Sequence, residues 1–330
     1  MSTPLKVLVT GAGGFLGKRV TKALLEAGHE VRALVRPNSD PSRLPRHEGL
    51  ETFGADLRGG VDLAPAFEGV DVLLHLATQM VGDDFAILGG TLVGTERLFD
   101  AFAASATKRL VLCSSFSVYD WSNISGRHDE KSPVLEDPFK AGSYAAAKRW
   151  QERLAERVTG DSEKELVVLR PGFVWGPGNT DLACVGQRVG RWQVAFGWGR
   201  DLALTHVDNC ADAFRIACEH PKAAGEVFDV VDDHRISATR YAKALRSGEF
   251  PGKRVVAIPY WVARSGIGLV NLGSRLLYGP NGKLPSMFTP IRFELRFKPV
   301  RTSAAKLSRL LNWTAPVSAK DALARTWEKA

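Results

Sequence analysis

A glycine-rich segment near the start of the chain, residues 10–17 with the sequence TGAGGFLG, sets the strongest limit on the fold. It directly follows an apolar run at residues 5–9, and after it Val20, Leu24 and Ala27 recur at helical spacing. A buried parallel strand is typically a near-continuous run of Val and Leu. The pattern therefore predicts a turn that joins a strand to a helix.

Glycines at such a turn let the backbone approach a ligand, and the free amides at the helix N-terminus favour a phosphate. The spacing is Gly-x-x-Gly-x-x-Gly rather than strict Gly-x-Gly-x-x-Gly. Glycine spacing alone also fits a plain strand-to-helix turn, but the flanking strand and helix favour dinucleotide binding. The residues expected at the pyrophosphate are Gly11, Gly13, Gly14, Phe15, Leu16 and Gly17.

The composition is that of an ordinary globular protein, with 330 residues of which 45% are apolar and 24% charged. No run of about 20 apolar residues offers a membrane span, and no signal peptide precedes the first strand, so a cytoplasmic protein is expected.

The four cysteines form no Cys-x-x-Cys pair, so neither a metal site nor disulfides are indicated. The net charge of +8 includes no run of five or six basic residues, so we expect no nucleic-acid partner; an anionic cofactor or substrate is compatible with it.

The end of the second predicted strand, residues 30–35, bears on the choice of cofactor. An NAD-selective site places Asp or Glu here to hold the ribose hydroxyls, whereas a phosphorylated ribose favours Arg. Arg36 follows the strand at once, and this favours NADP over NAD. The alternatives are that Arg36 is only a solvated surface residue, or that Asp40 reaches back to the ribose.

Two more strands, at residues 50–53 and 70–76, are expected to end beside the cofactor. After the first of them, Asp56 is expected to accept a hydrogen bond from the adenine amino group, with Leu57 against the ring. After the second, Leu76 and Ala77 are expected to line the site.

Apolar residues at helical spacing predict a helix over 85–104 that covers the sheet and offers a surface for a homodimer. A fifth strand is predicted at 109–113, and a second long helix between 141 and 158.

The fifth strand leads into Ser114 and Ser115, and the helix that follows carries Tyr144 and Lys148, four residues apart and so on one face. Free tyrosine has a pKa near 10, and an ammonium group close by stabilises the phenolate and lowers that pKa. Ser115 is then expected to hold a substrate oxygen while Tyr144 gives or takes its proton. Tyr-x-x-x-Lys alone is frequent by chance, and only its place behind the serines and the dinucleotide turn gives it weight.

With these residues the chain resembles the extended short-chain dehydrogenases/reductases of the NAD-dependent epimerase/dehydratase type. The resemblance extends over most of the chain. It is carried by segments 9–17, 54–57, 74–77, 114–119, 144–148, 170–178, 206–209 and 311–316.

The resemblance implies that Ser115 orients the substrate carbonyl, that Tyr144 is the general acid/base, and that Lys148 tunes Tyr144 and binds the nicotinamide ribose. It further implies that the cofactor is contacted by Pro171, Gly172 and Val174.

Two departures from the family pattern indicate the branch. Family dehydratases have an Asp-Glu pair where this chain has Phe116 and Ser117, which argues against elimination chemistry. Nucleotide-sugar enzymes tend to carry Asn where this chain has Phe173, and an aromatic side chain suits an apolar substrate. The chain thus resembles the dihydroflavonol reductase and 3β-hydroxysteroid dehydrogenase branch.

The function expected from this branch is an NADP-dependent oxidoreductase that moves hydride between nicotinamide and a bulky, fairly apolar ketone or secondary alcohol. A nucleotide-sugar epimerase or reductase with bound NAD is the first alternative. A non-catalytic dinucleotide sensor is the second.

The expected fold is α/β, with a Rossmann-type doubly wound parallel sheet in residues 1–180 and a smaller mixed α/β substrate lobe in 181–330. In the lobe, segment 260–278 is expected to line an apolar pocket, to rest on a membrane surface, or to pack on the lobe's own core. The alternation in residues 291–297 predicts an edge strand with a charged outer face.

Aromatic residues are close together in the stretch that ends at Trp198. Arg200 meets either an anionic substrate group or water, and His206 is either near the substrate or a buried structural residue. The residues taken as substrate contacts are Phe173, Trp192, Phe196 and His206.

Overall fold

The computed structural model of the chain describes residues 3–80, 82–160, 162–197, 199–233, 235–248, 254–279 and 289–327. In chain order the strands are β1 (Lys6–Thr10), β2 (Glu30–Val35), β3 (Leu50–Gly54), β4 (Val72–His75), β5 (Arg109–Cys113), β6 (Glu165–Pro171), β7 (Phe173–Trp175), β8 (Gly186–Val189), β9 (Trp192–Phe196), β10 (Leu204–His206), β11 (Val227–Val230) and β12 (Arg254–Ile258). The helices are α1 (Phe15–Glu26), α2 (Asp84–Ala104), α3 (Ser143–Gly160), α4 (Val207–Glu219), α5 (Ala238–Gly248), α6 (Tyr260–Tyr278), α7 (Pro290–Phe297), α8 (Ala305–Leu311) and α9 (Ala319–Trp327).

The centre of the fold is a seven-stranded sheet in the order β11-β6-β5-β4-β1-β2-β3, with every neighbouring pair parallel. The chain runs outward from β1 through β2 to β3 and then returns to β4 on the other side of β1. The strand order therefore reverses between β1 and β4, which is the place where doubly wound sheets bind their ligands. The predicted Rossmann-type fold is confirmed.

Both faces of this sheet are buried, which explains the near-continuous apolar run in β1. Val7 and Val9 belong to a core cluster with α1 and α4, whereas Leu8 belongs to a second cluster with α2 and α3. Alternate residues of a strand point to opposite faces, so both sets must be apolar. The helices thus form two layers around the sheet, with α1 and α4 on one face and α2 and α3 on the other.

The later part of the chain adds two small sheets. β7 pairs with β10 in parallel, while β9 pairs antiparallel with β8 and parallel with β12. A separate core cluster lies here, in which the Trp175 ring stacks on the Trp327 ring at 5.7 Å and meets Tyr241 edge-on. β11 and α8 return to the main sheet, since Leu307 and Phe228 belong to its core.

The edge strand predicted for residues 291–297 is wrong, because this segment forms α7. Pro290 occupies the first turn, where its fixed φ and missing N–H suit a helix start. Phe293 and Phe297, four residues apart, are both buried on one face and pack against Phe196. In so short a segment, apolar residues at every second position include a pair at helical spacing, so alternation alone did not distinguish the two structures.

Candidate active site

A cavity of about 1660 Å³ opens at the carboxyl ends of β1, β4, β5 and β6. The glycine turn lines one end of it, and Phe173, Arg200 and Leu295 line another part. The structure brings to this cavity every residue that the sequence predicted for cofactor binding: Gly11, Gly13, Gly14, Phe15, Leu16, Gly17, Arg36, Asp56, Leu57, Leu76, Ala77, Tyr144, Lys148, Pro171, Gly172 and Val174.

The glycine turn is shaped for close approach of the backbone. A Cβ atom at Gly17 would lie 2.0 Å from the carbonyl oxygen of Gly11, and one at Gly11 would lie 2.9 Å from the amide nitrogen of Ala77. Gly11 also has φ +74°, a conformation that favours glycine. Helix α1 starts after Gly14 with no side chain capping its amides. These free donors at the cavity wall fit a dinucleotide pyrophosphate.

Polar groups surround the place expected for the adenosine. Arg58 donates to Asp56 through Nη2 at 2.8 Å, and this hydrogen bond is the main reason that the pKa of Asp56 is lowered to about 2. Arg36 lowers the pKa of Asp56 further through its charge. Asp56 is therefore an ionised acceptor. Asp40 is already used locally, since its side chain accepts from the Ser42 amide at 2.9 Å.

Tyr144 and Ser115 both line the cavity, and the Ser115 side chain is close enough to act on the Tyr144 phenol. Desolvation raises the pKa of Tyr144 above its usual value, and the interaction with Ser115 opposes that rise. The Ser115 hydroxyl also accepts from the Ser117 amide at 3.2 Å, which fixes its position at the end of β5. The two hydroxyl groups can hold one carbonyl oxygen between them.

Lys148 lies one helical turn after Tyr144 and is 2% exposed. Its Nζ donates to Thr78 Oγ1 at 2.6 Å and to the Cys113 carbonyl oxygen at 2.7 Å. Burial lowers the pKa of Lys148. The expected lowering of the Tyr144 pKa by Lys148 is not found, because desolvation outweighs the other influences on the phenol. Thr78 was not among the predicted site residues, although it lies at the strand end that the sequence placed beside the cofactor.

The side of α3 that carries Lys148 is anchored by buried polar groups. Glu152 accepts from Arg170 Nε at 2.7 Å and Nη2 at 2.9 Å, and it also accepts from the Ser114 hydroxyl. These contacts join α3 to β6 and to the end of β5. The register that places Tyr144 beside Ser115 is therefore held by a bidentate ion pair.

A second buried network lies behind the glycine turn, around His75. Its Nδ1 is 2.8 Å from the Thr10 hydroxyl, and its Nε2 is 2.9 Å from Gln151 Nε2. Since the amide nitrogen of Gln151 can only donate, Nε2 of His75 is the acceptor and the ring is neutral. Burial, with the charge of Lys148 as the smaller cause, lowers the pKa of His75 to about 3.

Of the predicted substrate contacts, only Phe173 lines the cavity. His206 is fully buried, caps α4 by accepting from the Asp208 amide at 3.3 Å, and packs edge-on against Trp175. Of the two roles that the sequence left open for it, His206 therefore takes that of a buried structural residue. Trp192 is 38% exposed under Arg254, and Phe196 packs in a cluster with α7. Trp198 lies outside the described residues.

Two arginines stand at the part of the cavity away from the glycine turn. Arg200 donates from Nη2 to the Cys184 carbonyl oxygen at 2.6 Å. Arg296 is close enough to Cys184 for the two side chains to interact electrostatically. Burial lowers the pKa of both. Neither forms an ion pair with any carboxylate of the described residues. An oxyanion of a ligand would compensate this charge.

Nothing else among the described residues suggests a different chemistry. No group of three His, Cys, Asp or Glu side chains there is arranged to hold a metal ion. Within the same residues, no helix is long and apolar enough to cross a membrane.

Comparison with known proteins identifies the family. The model of the NAD dependent epimerase/dehydratase family matches residues 7–230. The 2-alkyl-3-oxoalkanoate reductase of Stenotrophomonas maltophilia is 30% identical over 65% of this chain and 66% of its own length. The sterol-4-alpha-carboxylate 3-dehydrogenase of Mus musculus is 26% identical over 99% of this chain and 91% of its own.

Solved structures agree on the fold. The UDP-glucuronic acid 4-epimerase of Bacillus cereus, in complex with UDP-glucuronic acid and NAD, superposes with a TM-score of 0.73 at 21% identity over 98% of both chains. The chain belongs to the NAD-dependent epimerase/dehydratase family. It is a nicotinamide-dependent oxidoreductase that acts on CH–OH groups, as the sequence predicted.

The His75 network gives stability a pH dependence. In the unfolded chain His75 binds a proton below a pH of about 6.5, but in the folded protein it does not do so until about pH 3. The unfolded state therefore gains protons first, and the free energy of unfolding falls as the pH drops below about 6.5. His75→Gln should be less stable than wild type at neutral pH, yet should lose less stability on acidification.

Urea denaturation of both proteins at neutral and mildly acidic pH measures this difference. His47→Gln, at an exposed position, serves as the control and should keep the wild-type pH dependence. An equal loss of stability in His75→Gln and wild type would contradict the assignment of this titration to His75.

Proposed function

We propose that the protein is an NADP-dependent oxidoreductase that reversibly transfers hydride between nicotinamide and a bulky, fairly apolar ketone or secondary alcohol. The observation that carries this proposal is that Tyr144 and Ser115 line the same cavity as the glycine turn, with Ser115 close enough to act on the Tyr144 phenol. A phenol and a hydroxyl placed together in a dinucleotide-sized cavity suit protonation of a carbonyl oxygen.

Each residue of the site has a separate role in the proposed reaction. The bound nicotinamide supplies or accepts the hydride. Ser115 and Tyr144 hold the carbonyl oxygen, and Tyr144 gives it the proton in reduction or removes that proton in oxidation. Lys148, fixed between Thr78 and Cys113 at the cavity wall, holds the nicotinamide ribose, which is the second role that the family resemblance implies for it.

The preference for NADP is supported by the charge at the end of β2. Arg36 lines the cavity next to Asp56, and Arg43 and Arg58 line it close by, so a ribose phosphate would meet several guanidinium groups. Asp40, the alternative ribose ligand, is turned toward the Ser42 amide. Within the proposal, Gly11 to Gly17 hold the pyrophosphate, and the cofactor is also contacted by Leu57, Leu76, Ala77, Pro171, Gly172 and Val174.

An apolar substrate is supported by Phe173 at the cavity wall and by the named substrates of several relatives. Besides the 2-alkyl-3-oxoalkanoate reductase, a 3-beta-hydroxysteroid dehydrogenase of Mycolicibacterium neoaurum is 29% identical over 73% of this chain. Both names describe a ketone or alcohol on a largely apolar framework. We assign the substrate to the lobe at 181–330 and the cofactor to the domain at 1–180, to which β11, α4 and α8 return.

A nucleotide-sugar substrate with bound NAD is the second candidate, because one observation favours it. Arg200 and Arg296 face the cavity without a carboxylate partner among the described residues, and a diphosphate would pair with them. Phe173 offers no polar contact to such a group. Thermal stabilisation by UDP-sugars, or NAD that stays bound through purification, would decide for this candidate.

We further propose a cytoplasmic homodimer that pairs through α2 and α3. These helices pack on each other and leave Phe85, Val93 and Trp150 exposed, which is an apolar surface on two long adjacent helices.

Tyr144→Phe tests the catalytic proposal. Loss of the acidic hydroxyl should lower kcat for ketone reduction by about 10²- to 10⁴-fold, whereas the Kd of NADPH should stay within about twofold. Stopped-flow absorbance and cofactor fluorescence measure the two quantities. Tyr278→Phe, at a 75% exposed tyrosine, is the control. Unchanged turnover in Tyr144→Phe would exclude the proposed acid.

Arg36→Ala tests the cofactor preference. If Arg36 pairs with a ribose phosphate, its removal should raise KM for NADPH about tenfold and leave KM for NADH nearly unchanged. Arg46→Ala, an exposed arginine outside the cavity lining, should change neither. An equal effect of Arg36→Ala on both cofactors would contradict the assignment.

A further inference from the structure

Helix α6 exposes an apolar face that the fold does not use. Of its 19 residues, only Ile267 is buried, whereas Trp261 and Leu269 are each 70% exposed and Leu276 is 78% exposed. Scattered apolar residues are normal on a surface, but a continuous row along a helix of about 28 Å indicates a partner.

The exposed apolar residues fall on one half of the helix circumference at about 100° per residue. Ser265, Gly266 and Gly273 complete that half, and no charged residue lies in it. Arg264 and Arg275 lie together beyond one edge of it. The apolar residues of this face are Trp261, Val262, Leu269, Val270, Leu272, Leu276 and Leu277.

The net charge of the chain is concentrated in the stretch of sequence that contains α6. Residues 253–301 contain nine Lys and Arg and a single acidic residue, Glu294, an excess of eight that equals the net charge of the whole chain. Glu294 is itself paired with Arg264, Nε to Oε1 at 2.7 Å. The basic residues form no run in sequence; of those that the structure describes, Arg254, Arg275 and Arg301 are exposed, and the rest of the chain is electrically balanced.

We infer that α6 lies flat on the surface of an anionic lipid bilayer, with its apolar face in the boundary between headgroups and acyl chains. An interfacial helix of this kind carries Trp and Leu on one side and Arg or Lys beside it, and it sinks about 5–10 Å into the membrane. Trp261, at the start of α6 and at one edge of this face, has the amphipathic ring that favours this depth. Anionic lipid attracts basic side chains that lie near the membrane surface.

A second copy of the chain fits this surface less well than lipid does. Two such surfaces would bring together two segments that each carry an excess of eight positive charges. The apolar face on α2 and α3 offers self-association without that repulsion, since the positive excess lies elsewhere in the chain.

The position of α6 also relates the membrane to the cavity. Tyr260 stacks on Phe293 of α7 at 5.8 Å, and Leu295 and Arg296 of α7 line the cavity. A bilayer under α6 would therefore lie next to the substrate part of the cavity. If the substrate is the apolar ketone proposed above, it can reach this part from the lipid; the docking itself does not depend on that proposal.

Vesicle flotation of the full-length protein tests the inference. Vesicles of phosphatidylcholine with about 30% phosphatidylglycerol should carry the protein to the top of the gradient, and pure phosphatidylcholine should bind at least about tenfold less. Raising the salt from about 0.05 to about 0.5 M should weaken the binding, because salt screens the attraction between exposed basic side chains such as Arg254 and Arg275 and the anionic lipid.

The decisive comparison uses two variants of equal charge. Leu269→Glu/Leu276→Glu places carboxylates on the apolar face and should reduce vesicle binding by about tenfold or more, while Val61→Glu/Val189→Glu, at exposed positions elsewhere, should bind as wild type does. Circular dichroism and NADPH oxidation with a soluble ketone report on the fold and on the proposed function separately.

Equal binding to both vesicle types, equal binding of the two variants, or no binding by the wild type would each overturn the inference. So would a lipid-free dimer, seen by light scattering, that Leu269→Glu/Leu276→Glu dissociates and Val61→Glu/Val189→Glu does not. That last outcome would assign the face to a second copy of the chain.

Discussion

The geometry of the site depends on the buried ion pair between Glu152 on α3 and Arg170 on β6, joined by two hydrogen bonds of 2.7 and 2.9 Å. α3 carries both Tyr144 and Lys148, so its position against the sheet decides where the phenol and the ammonium stand relative to β5. Removing one partner of a buried pair leaves an uncompensated charge, at a cost of about 3–5 kcal/mol. The pair therefore holds the helix in one register, and Tyr144 meets Ser115 as a consequence.

The sequence alone predicted the features of the site that depend on a fixed spacing between neighbouring residues. The glycine turn, the helical interval between Tyr144 and Lys148, and the strand ends around Asp56 and Ala77 are local patterns. The parallel sheet then brings their ends to one edge. Gly17 is a clear case, because the close approach of its backbone to Gly11 permits no side chain there, and the pattern already required glycine. Where backbone geometry dictates residue type, the sequence predicts structure well.

The predictions that did not hold depended on tertiary packing. Residues 291–297 formed a helix because Phe293 and Phe297 found a common pocket beside Phe196. His206 packs against Trp175, so tertiary packing selected the structural role that the sequence had left open beside a place near the substrate, and desolvation determines the direction of the Tyr144 pKa. The partners of Lys148 are Thr78, which follows β4, and Cys113 of β5, both far from it in sequence. Each of these features depends on contacts between residues that are far apart in the sequence. A local sequence pattern therefore could not predict them.

We propose that hydride passes between a nicotinamide and a separate ketone substrate at Tyr144 and Ser115. Turnover with NADPH that carries deuterium at nicotinamide C4, followed by mass spectrometry of the alcohol product, tests this transfer. For one of the two C4 epimers, deuterium should appear on the carbinol carbon, with NADP⁺ released in equal amount. Product without deuterium from either epimer, or UDP-sugar epimerisation with no net oxidation of cofactor, would contradict it.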